Sequence, residues 1–302
     1  LTQSPFFLKI VPENYDEAFE GGKVRHFVAD IVLNKAVSPS WMLLGFLWPR
    51  DLELPLPGQF FTFRLPDQTI AQGGLLRRPL AFAGFDGQTA FSLYEIRGPQ
   101  TKALSTCTDK LDVLGPLGNA FPLPSQGENA YLVGGGIGCG PILYLFSYLF
   151  KLFNQGNKTE LKNPDGRNPV CVLGFRTFKD IPNFQVLEKI LAEPGQLFLA
   201  TDDGSFGTKG NAVTVLSDLM KNEAENSPSS HLYACGPVPM LKAAQALSVK
   251  TGNPLHISAE QWMACGVGAC QGCVLPLKQG GYVRVCADGP IFAAGTIDWE
   301  KV

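Results

Sequence analysis

Histidine is scarce in this chain, with only His26, His231 and His256 among 302 residues, so no histidine cage for a catalytic metal is expected. A basic excess is lacking too: Lys and Arg number 25 against 27 Asp and Glu, a formal net charge of -2, which leaves no electrostatic footprint for nucleic acid. No apolar run reaches membrane length. The most apolar stretch, Ile142 to Phe150, is about half the roughly 20 residues that a span requires, and Gly134 to Pro141 break its approach. It reads as a buried helix, and no transmembrane segment is expected. The start, Leu1-Thr-Gln-Ser-Pro-Phe-Phe7, has no basic region followed by an apolar stretch of about 7 to 15 residues, so it is not a signal peptide; its lack of Met suggests trimming. Cys107, Cys139, Cys171 and Cys235 lie scattered, so nothing demands an oxidising compartment and a cytoplasmic setting is expected.

With 45% hydrophobic and 17% charged residues, the composition is that of an ordinary globular chain, long enough for about two or three domains. Residues 1–22 read as an N-terminal extension closed by Gly21-Gly22. From 23 to 127, short apolar runs recur between turn residues: Val24–Leu33, Trp41–Leu47, Gln59–Leu65, Pro79–Gly84, Ala90–Ile96 and Lys110–Leu114. They predict a small antiparallel β-barrel. From 128 to 254 strand and helix patterns alternate. Strands are expected at Ala130–Gly134, Val170–Phe175, Gln196–Ala200 and His231–Cys235. Helices are expected after Gly138, around Gln185–Leu191, over Ala212–Lys221 and over Pro239–Lys250. This is the pattern of a doubly wound parallel α/β domain. The polar stretches 154–169 and 222–230 read as solvated loops, and 255–302 as a separate C-terminal segment.

That segment carries the most specific signal. Cys265, Cys270 and Cys273 have the spacing C-x4-C-x2-C, and Cys286 follows after twelve residues. Thiolates must converge on two irons from one compact loop, and Gly266, Gly268, Ala269 and Gly272 let backbone amides approach the sulfides. The spacing is that of a plant-type 2Fe-2S cluster. Structural zinc is the alternative, but zinc ribbons pair two knuckles, whereas here three cysteines crowd one loop.

Gly134, Gly135, Gly136, Ile137 and Gly138 follow an expected strand and open a helix, where bare amides and a helix N-terminus can hold a pyrophosphate. The plain alternative is a tight turn that packs helix on sheet. Asp203, Gly204 and Ser205 end the next-but-one strand, and Cys235, Gly236 and Pro237 end a further one, which is where open α/β sheets bind ligands. These groups suit the riboses and amide of NAD(H), and Cys235 then stands near the hydride-transfer face, unless it is only a small buried residue. Arg176 and Lys179 lie where a 2'-phosphate would be met, but read more readily as solvated loop charge, which favours NAD over NADP. In the barrel half, Arg77-Arg78-Pro79 sets a cation beside a rigid turn, and Leu93 to Thr101 runs from strand through glycine turn to a helix start, a candidate phosphate site.

In its order of motifs the chain resembles the ferredoxin reductase superfamily, and most closely the electron-transfer subunits of class 1B dihydroorotate dehydrogenases. The resemblance runs from Lys23 to Trp299 and rests on Arg78-Pro79-Leu80, Gly115-Pro-Leu-Gly-Asn-Ala-Phe121, Gly134–Gly138, Asp202–Ser205 with Lys209-Gly210, Cys235-Gly-Pro237, and the tail Glu260–Cys273 with Val285–Phe292. It implies that Arg78, Pro79, Leu80 and Ala81 line FAD, with Leu93, Tyr94 and Glu95 on the adjoining strand and Gln100 and Thr101 at the phosphate turn. Ala81 stands where the superfamily often has Ser, and Gln100-Thr101 where Gly-Thr is expected, so individual hydrogen bonds to the flavin differ. The resemblance also implies an FMN-containing dihydroorotate dehydrogenase catalytic subunit as partner in a heterotetramer, with electrons running from dihydroorotate to NAD.

A nicotinamide gives up two electrons as one hydride and an iron-sulfur cluster takes one, so a carrier holding both sites needs flavin between them. No paired carboxylates or Ser/His arrangement suggest a substrate-oxidising centre within the chain, so a partner is implied. Rival readings are the NAD-linked flavin subunit of a sulfhydrogenase or of an electron-bifurcating transhydrogenase. From another class, a zinc-stabilised assembly module without enzymatic function retains the same fold.

Overall fold

A computed structural model describes residues 24–66, 76–154, 168–187, 196–223 and 229–302. The expected extension, most of the 154–169 loop, residues 224–228 and the far end of the helical pattern over 185–191 lie outside the described residues.

The first half is a seven-stranded antiparallel sheet. Its strands are β1 (Arg25–Ala36), β2 (Trp41–Leu47), β3 (Phe60–Arg64), β4 (Arg78–Ala81), β5 (Gly84–Phe85), β6 (Thr89–Glu95) and β7 (Lys110–Leu117), with one short helix, α1 (Pro99–Leu104). The order β4-β3-β7-β1-β2-β6-β5 puts consecutive strands β4 and β5 at opposite edges. The dipeptide between them closes the sheet, since Phe82 N donates to Gln59 O beside β3 and Ala83 N donates to Phe91 O on β6. The expected barrel is thus present as a curled sheet joined at that point.

Strand β2 shows why the sequence folds this way. Its run Trp-Met-Leu-Leu-Gly-Phe-Leu is apolar on both faces because both are covered. Met42, Leu44 and Phe46 fill the barrel interior, while Trp41 and Leu43 join the core shared with the second half. Burying each such side chain is worth about 1.5–3 kcal/mol.

The second half has β8 (Asn129–Gly135), a 3-10 turn at Gly136–Gly138, α2 (Cys139–Asn154), β9 (Val170–Phe175), α3 (Phe184–Leu187), β10 (Gln196–Thr201), β11 (Thr208–Lys209), α4 (Ala212–Glu223), β12 (Ser230–Cys235), α5 (Val238–Thr251) and β13 (Leu255–Ser258). A two-stranded ribbon, β14 (Val274–Pro276) and β15 (Tyr282–Arg284), and a last strand, β16 (Ile291–Ala293), complete it. The main sheet runs β11-β10-β9-β8-β12-β13-β16. Strand order grows outward from β8 on one side and resumes on the other at β12, so the switch point lies between β8 and β12, both parallel. Helix α2 with its leading turn, Gly136–Asn154, is long and apolar enough to cross a membrane by length and composition, yet 72% of it is buried in this fold, as the sequence reading of a core helix expects.

The expected boundary between 254 and 255 does not follow the sheet. β13 pairs in parallel with β12, and β16 pairs antiparallel with β13. The C-terminal segment therefore leaves the main sheet at Ser258 and returns to it at Ile291. Three-residue and four-residue strands carry too little periodicity for this pairing to be read from sequence.

Candidate functional site

Between those two strands lies the cysteine loop. Its thiols are met by backbone amides: Val267 N and Cys270 N donate to Cys265 Sγ at 3.4 Å each, Gly268 N to Cys286 Sγ at 3.1 Å, Gly272 N to Cys270 Sγ at 3.4 Å, and Cys286 N to Cys273 Sγ at 3.4 Å. Gly266 and Gly268 take positive φ, 72° and 78°, which turns these amides inward at low steric cost. Burial opposes ionisation of Cys265, but the amides of Val267, Cys270 and Ala269 and the Cys270 thiol bring its pKa down to about 6. Burial and then the Cys273 thiol push Cys286 up to about 12. All four cysteines are free. The Cys270 thiol helps to lower the pKa of Cys265, and the Cys273 and Cys265 thiols help to raise that of Cys286, so the four stand close enough to act on one another. Among the described residues no three His, Cys, Asp or Glu side chains close on one ion position.

The loop is braced by Arg284, which the sequence reading did not single out, and by Asp288 and Asn119, which it quoted only as members of motifs. Arg284 grips Asp288 through Nε to Oδ2 at 3.0 Å and Nη2 to Oδ1 at 2.8 Å, and its Nη1 donates to Gly268 O at 3.2 Å. Asn119, within the Gly115–Phe121 motif, fastens the barrel to the far end of the segment: Nδ2 donates to Ile291 O at 3.0 Å and Oδ1 accepts from Ile291 N at 2.9 Å. Gly118 permits that approach, since a Cβ there would lie 2.6 Å from Pro290 Cδ.

The strand expected to line FAD, Arg78–Ala81, is half-buried along its whole length, so a face remains open to a ligand. Adjacent Arg77 and Arg78 separate in role. Arg77 turns to Asp112, which also accepts from Arg64 Nη2 at 2.7 Å and meets His26 at 2.6 Å. Burial would raise the Asp112 pKa, but Arg77, Arg64 and His26 together hold it below the ordinary carboxylate range. Arg78 Nε donates instead to Gln100 Oε1 at 2.6 Å, bringing β4 and the start of α1 together. Thr101 Oγ1 accepts from Arg97 N at 3.0 Å and Gly98 N at 3.1 Å, so that hydroxyl is engaged in capping the turn. On β6, Leu93 faces the second half against Gly140, and Glu95 pairs with Arg97. Tyr94 does not reach this surface: it is 1% exposed in the barrel core, its hydroxyl donating to Asn34 Oδ1 at 2.9 Å. Alternation along the strand sends its side chain to the opposite face from Leu93.

At the switch point the glycine turn is packed against the end of β12. A Cβ on Gly138 would lie 2.5 Å from Cys235 O, and one on Gly236 would lie 2.6 Å from Met240 Cε. Gly136, at φ +55°, has nothing within 4 Å of that position, so its backbone is open to a ligand. Burial and the Glu260 carboxylate push the Cys235 thiol up to about 12, although Ser258 works against this, so it is a neutral thiol at physiological pH. Further along the same edge, Asp203 Oδ1 accepts from Ser205 Oγ at 2.6 Å and Ser205 N at 2.9 Å, and those bonds with Lys209 hold Asp203 below the ordinary carboxylate range. Ser205 Oγ in turn accepts from Phe178 N at 2.8 Å. That links two exposed aromatics, Phe178 and Phe206, whose ring centroids are 5.6 Å apart. They were missed in sequence because the contact joins separate strand ends. Arg176 and Lys179 are exposed beside them.

A cysteine loop with paired thiols, seated against a curled barrel and the ligand edge of a parallel sheet, defines an NAD-linked flavin and iron-sulfur electron-transfer protein of ferredoxin reductase-like fold. Residues 132–246 match the oxidoreductase NAD-binding domain, and residues 260–298 match the iron-sulfur cluster binding domain of dihydroorotate dehydrogenase B. The chain is 39% identical over 250 residues to the dihydroorotate dehydrogenase B (NAD(+)) electron transfer subunit of Geobacillus thermodenitrificans, covering 80% of this chain and 86% of that one. It is 38% identical over 275 residues to the subunit of the same name from Streptococcus pneumoniae strain R6, covering 88% and 96%. A solved structure of an NADH-dependent reduced ferredoxin-NADP oxidoreductase, studied for flavin-based electron bifurcation, superposes with a TM-score of 0.69 at 25% identity, covering 93% and 92%. The chain belongs to the family of dihydroorotate dehydrogenase B (NAD(+)) electron transfer subunits.

Proposed function

We propose that this chain carries electrons between a dihydroorotate-oxidising, FMN-containing catalytic subunit and NAD, in a cytoplasmic heterotetramer, through sites held by the following residues. Cys265 and Cys270 hold one iron and Cys273 and Cys286 the other. The open face of Arg78–Ala81 holds FAD, with Leu93 and Glu95 at its border, Tyr94 contributing backbone alone, and Gln100 fixing the Arg78 guanidinium. Gly134–Gly138 and Gly236-Pro237 cradle the pyrophosphate and nicotinamide end of NAD(H). Asp203, Gly204 and Ser205 take the adenosine ribose, and the Phe178–Phe206 pair offers an apolar face for the adenine. When bound, FAD supplies the exchange between two-electron hydride chemistry and single-electron steps.

The residues do the positioning. Gly136 lets the backbone approach the nucleotide, and the neutral Cys235 thiol packs at its reactive end and keeps its proton. Exposed Cys270, with Val267 and Trp262 (85% exposed), forms the face on which the partner docks. The corresponding domains are 23–127 for FAD, 128–254 together with β13 and β16 for NAD, and the intervening loop for the cluster.

The observation that carries this reading is the gathering of four free thiols in one loop under a set of inward amides. Anaerobic purification from the native source, with flavin, iron and sulfide analysis and identification of bound subunits, tests it. One flavin and two irons with two sulfides per chain, beside an FMN subunit, are expected from the reading. A colourless zinc protein overturns it, and a different partner moves the chain to a bifurcating or hydrogenase complex.

A further inference from the structure

Thr62, in the middle of β3, is 1% exposed, and its hydroxyl has no hydrogen-bond partner among the described residues. A hydroxyl is both donor and acceptor, and native folds rarely bury one unpaired. Its surroundings explain what it is kept for. Thr62 pairs across the sheet with Pro79 of the flavin-lining strand. On its other side it meets the cysteine loop: Gly266, which follows Cys265, sits so close that a Cβ there would lie 2.9 Å from Thr62 Cγ2. The methyl meets the cluster loop, and the hydroxyl on the same Cβ is enclosed where that loop and the flavin strand come together. Five amides already aim at the cysteine sulfurs, which makes this loop a place where donors are collected.

We propose that the Thr62 hydroxyl donates a hydrogen bond to a sulfur of the iron-sulfur cluster and thereby raises its reduction potential. The inference rests on the assignment of the cluster to the four cysteines. The added electron increases negative charge on the sulfurs, so a donor there stabilises the reduced form more than the oxidised one. Valine has the shape of threonine without the hydroxyl, and serine keeps the hydroxyl without the methyl.

The test compares wild type, Thr62→Val and Thr62→Ser as anaerobic holoprotein, by redox titration followed by electron paramagnetic resonance, and by pulsed resonance in deuterated water. Thr62→Val is expected to lower the cluster midpoint by about 59 mV, a tenfold shift for one electron, and to lose one exchangeable deuteron coupling. Thr62→Ser is expected to keep both, with flavin and iron contents unchanged in each chain. Thr62→Ala serves the same comparison where valine prevents cluster loading. Equal midpoints in wild type and Thr62→Val, or a serine chain that behaves like the valine chain, overturn the proposal. Wild type without a 2Fe-2S signal overturns the cluster assignment itself.

Discussion

Asn119 and Ile291 lie 172 positions apart and hold each other by two hydrogen bonds, 3.0 Å from Asn119 Nδ2 to Ile291 O and 2.9 Å from Ile291 N to Asn119 Oδ1. The bonds tie the barrel to the strand that ends the cluster loop. Asn119→Ala is expected to cost about 2 kcal/mol, at roughly 1 kcal/mol per bond, and to speed release of iron to a chelator. Urea unfolding and the decay of visible absorbance measure the two effects.

Cys270→Ser removes a thiolate from the exposed side of the loop. Transfer onward from the flavin is expected to disappear, while NADH-dependent bleaching of the flavin stays near the wild-type rate. Stopped-flow absorbance with the partner subunit present separates the two; survival of both steps takes the cluster off the route.

Asp112 gives a prediction with a defined sign in pH. Its folded pKa is depressed by its cationic neighbours, so its contribution is complete above the unfolded value of about 4 and is lost as pH falls through the lower folded value. Asp112→Asn is expected to cost about 3 kcal/mol at neutral pH, because Arg77 is left largely buried and unpaired. The gap between wild type and variant, read from denaturant unfolding, is present at neutral pH and narrows below about pH 4.

Trp262 is an exposed aromatic in the stretch that leads into the cluster loop, where a partner would cover it. Trp262→Ala is expected to weaken subunit association by about 30-fold, the effect of losing about 2 kcal/mol at an aromatic anchor. Calorimetric titration with the catalytic subunit measures this, and unchanged flavin and cluster spectra confirm that the fold is kept.

Phe206→Ala strips half of the aromatic pair at the sheet edge. KM for NADH is expected to rise about threefold to tenfold, the range of a lost aromatic contact of about 0.5–1.5 kcal/mol, with kcat little changed. Steady-state reduction of an artificial acceptor by NADH reads both constants.

Where burial and turn chemistry agree, the fold could be read directly. Trp41–Leu47 and Val170–Phe175 are continuous apolar runs bounded by turn residues, and both appear as strands with those bounds. The cysteine loop was legible because metal ligation fixes spacing in the chain itself. Other features depend on partners remote in sequence. β5 has two residues, and β16 is identified only by its bonds to β13. Tyr94 sits one position from Leu93, yet strand alternation turns it to the barrel interior, which a motif match does not distinguish. Thr62 had no signal at all, since an unpaired hydroxyl is defined by what fails to surround it.

Because β13 and β16 are neighbours in one sheet, the excursion that carries the cysteines begins and ends on the same rigid footing. Such a loop is held by the sheet at both ends, unlike a ferredoxin tethered by a linker. On the proposed route, the docking protein then has to bring its own redox centre within tunnelling range of a port anchored in this sheet.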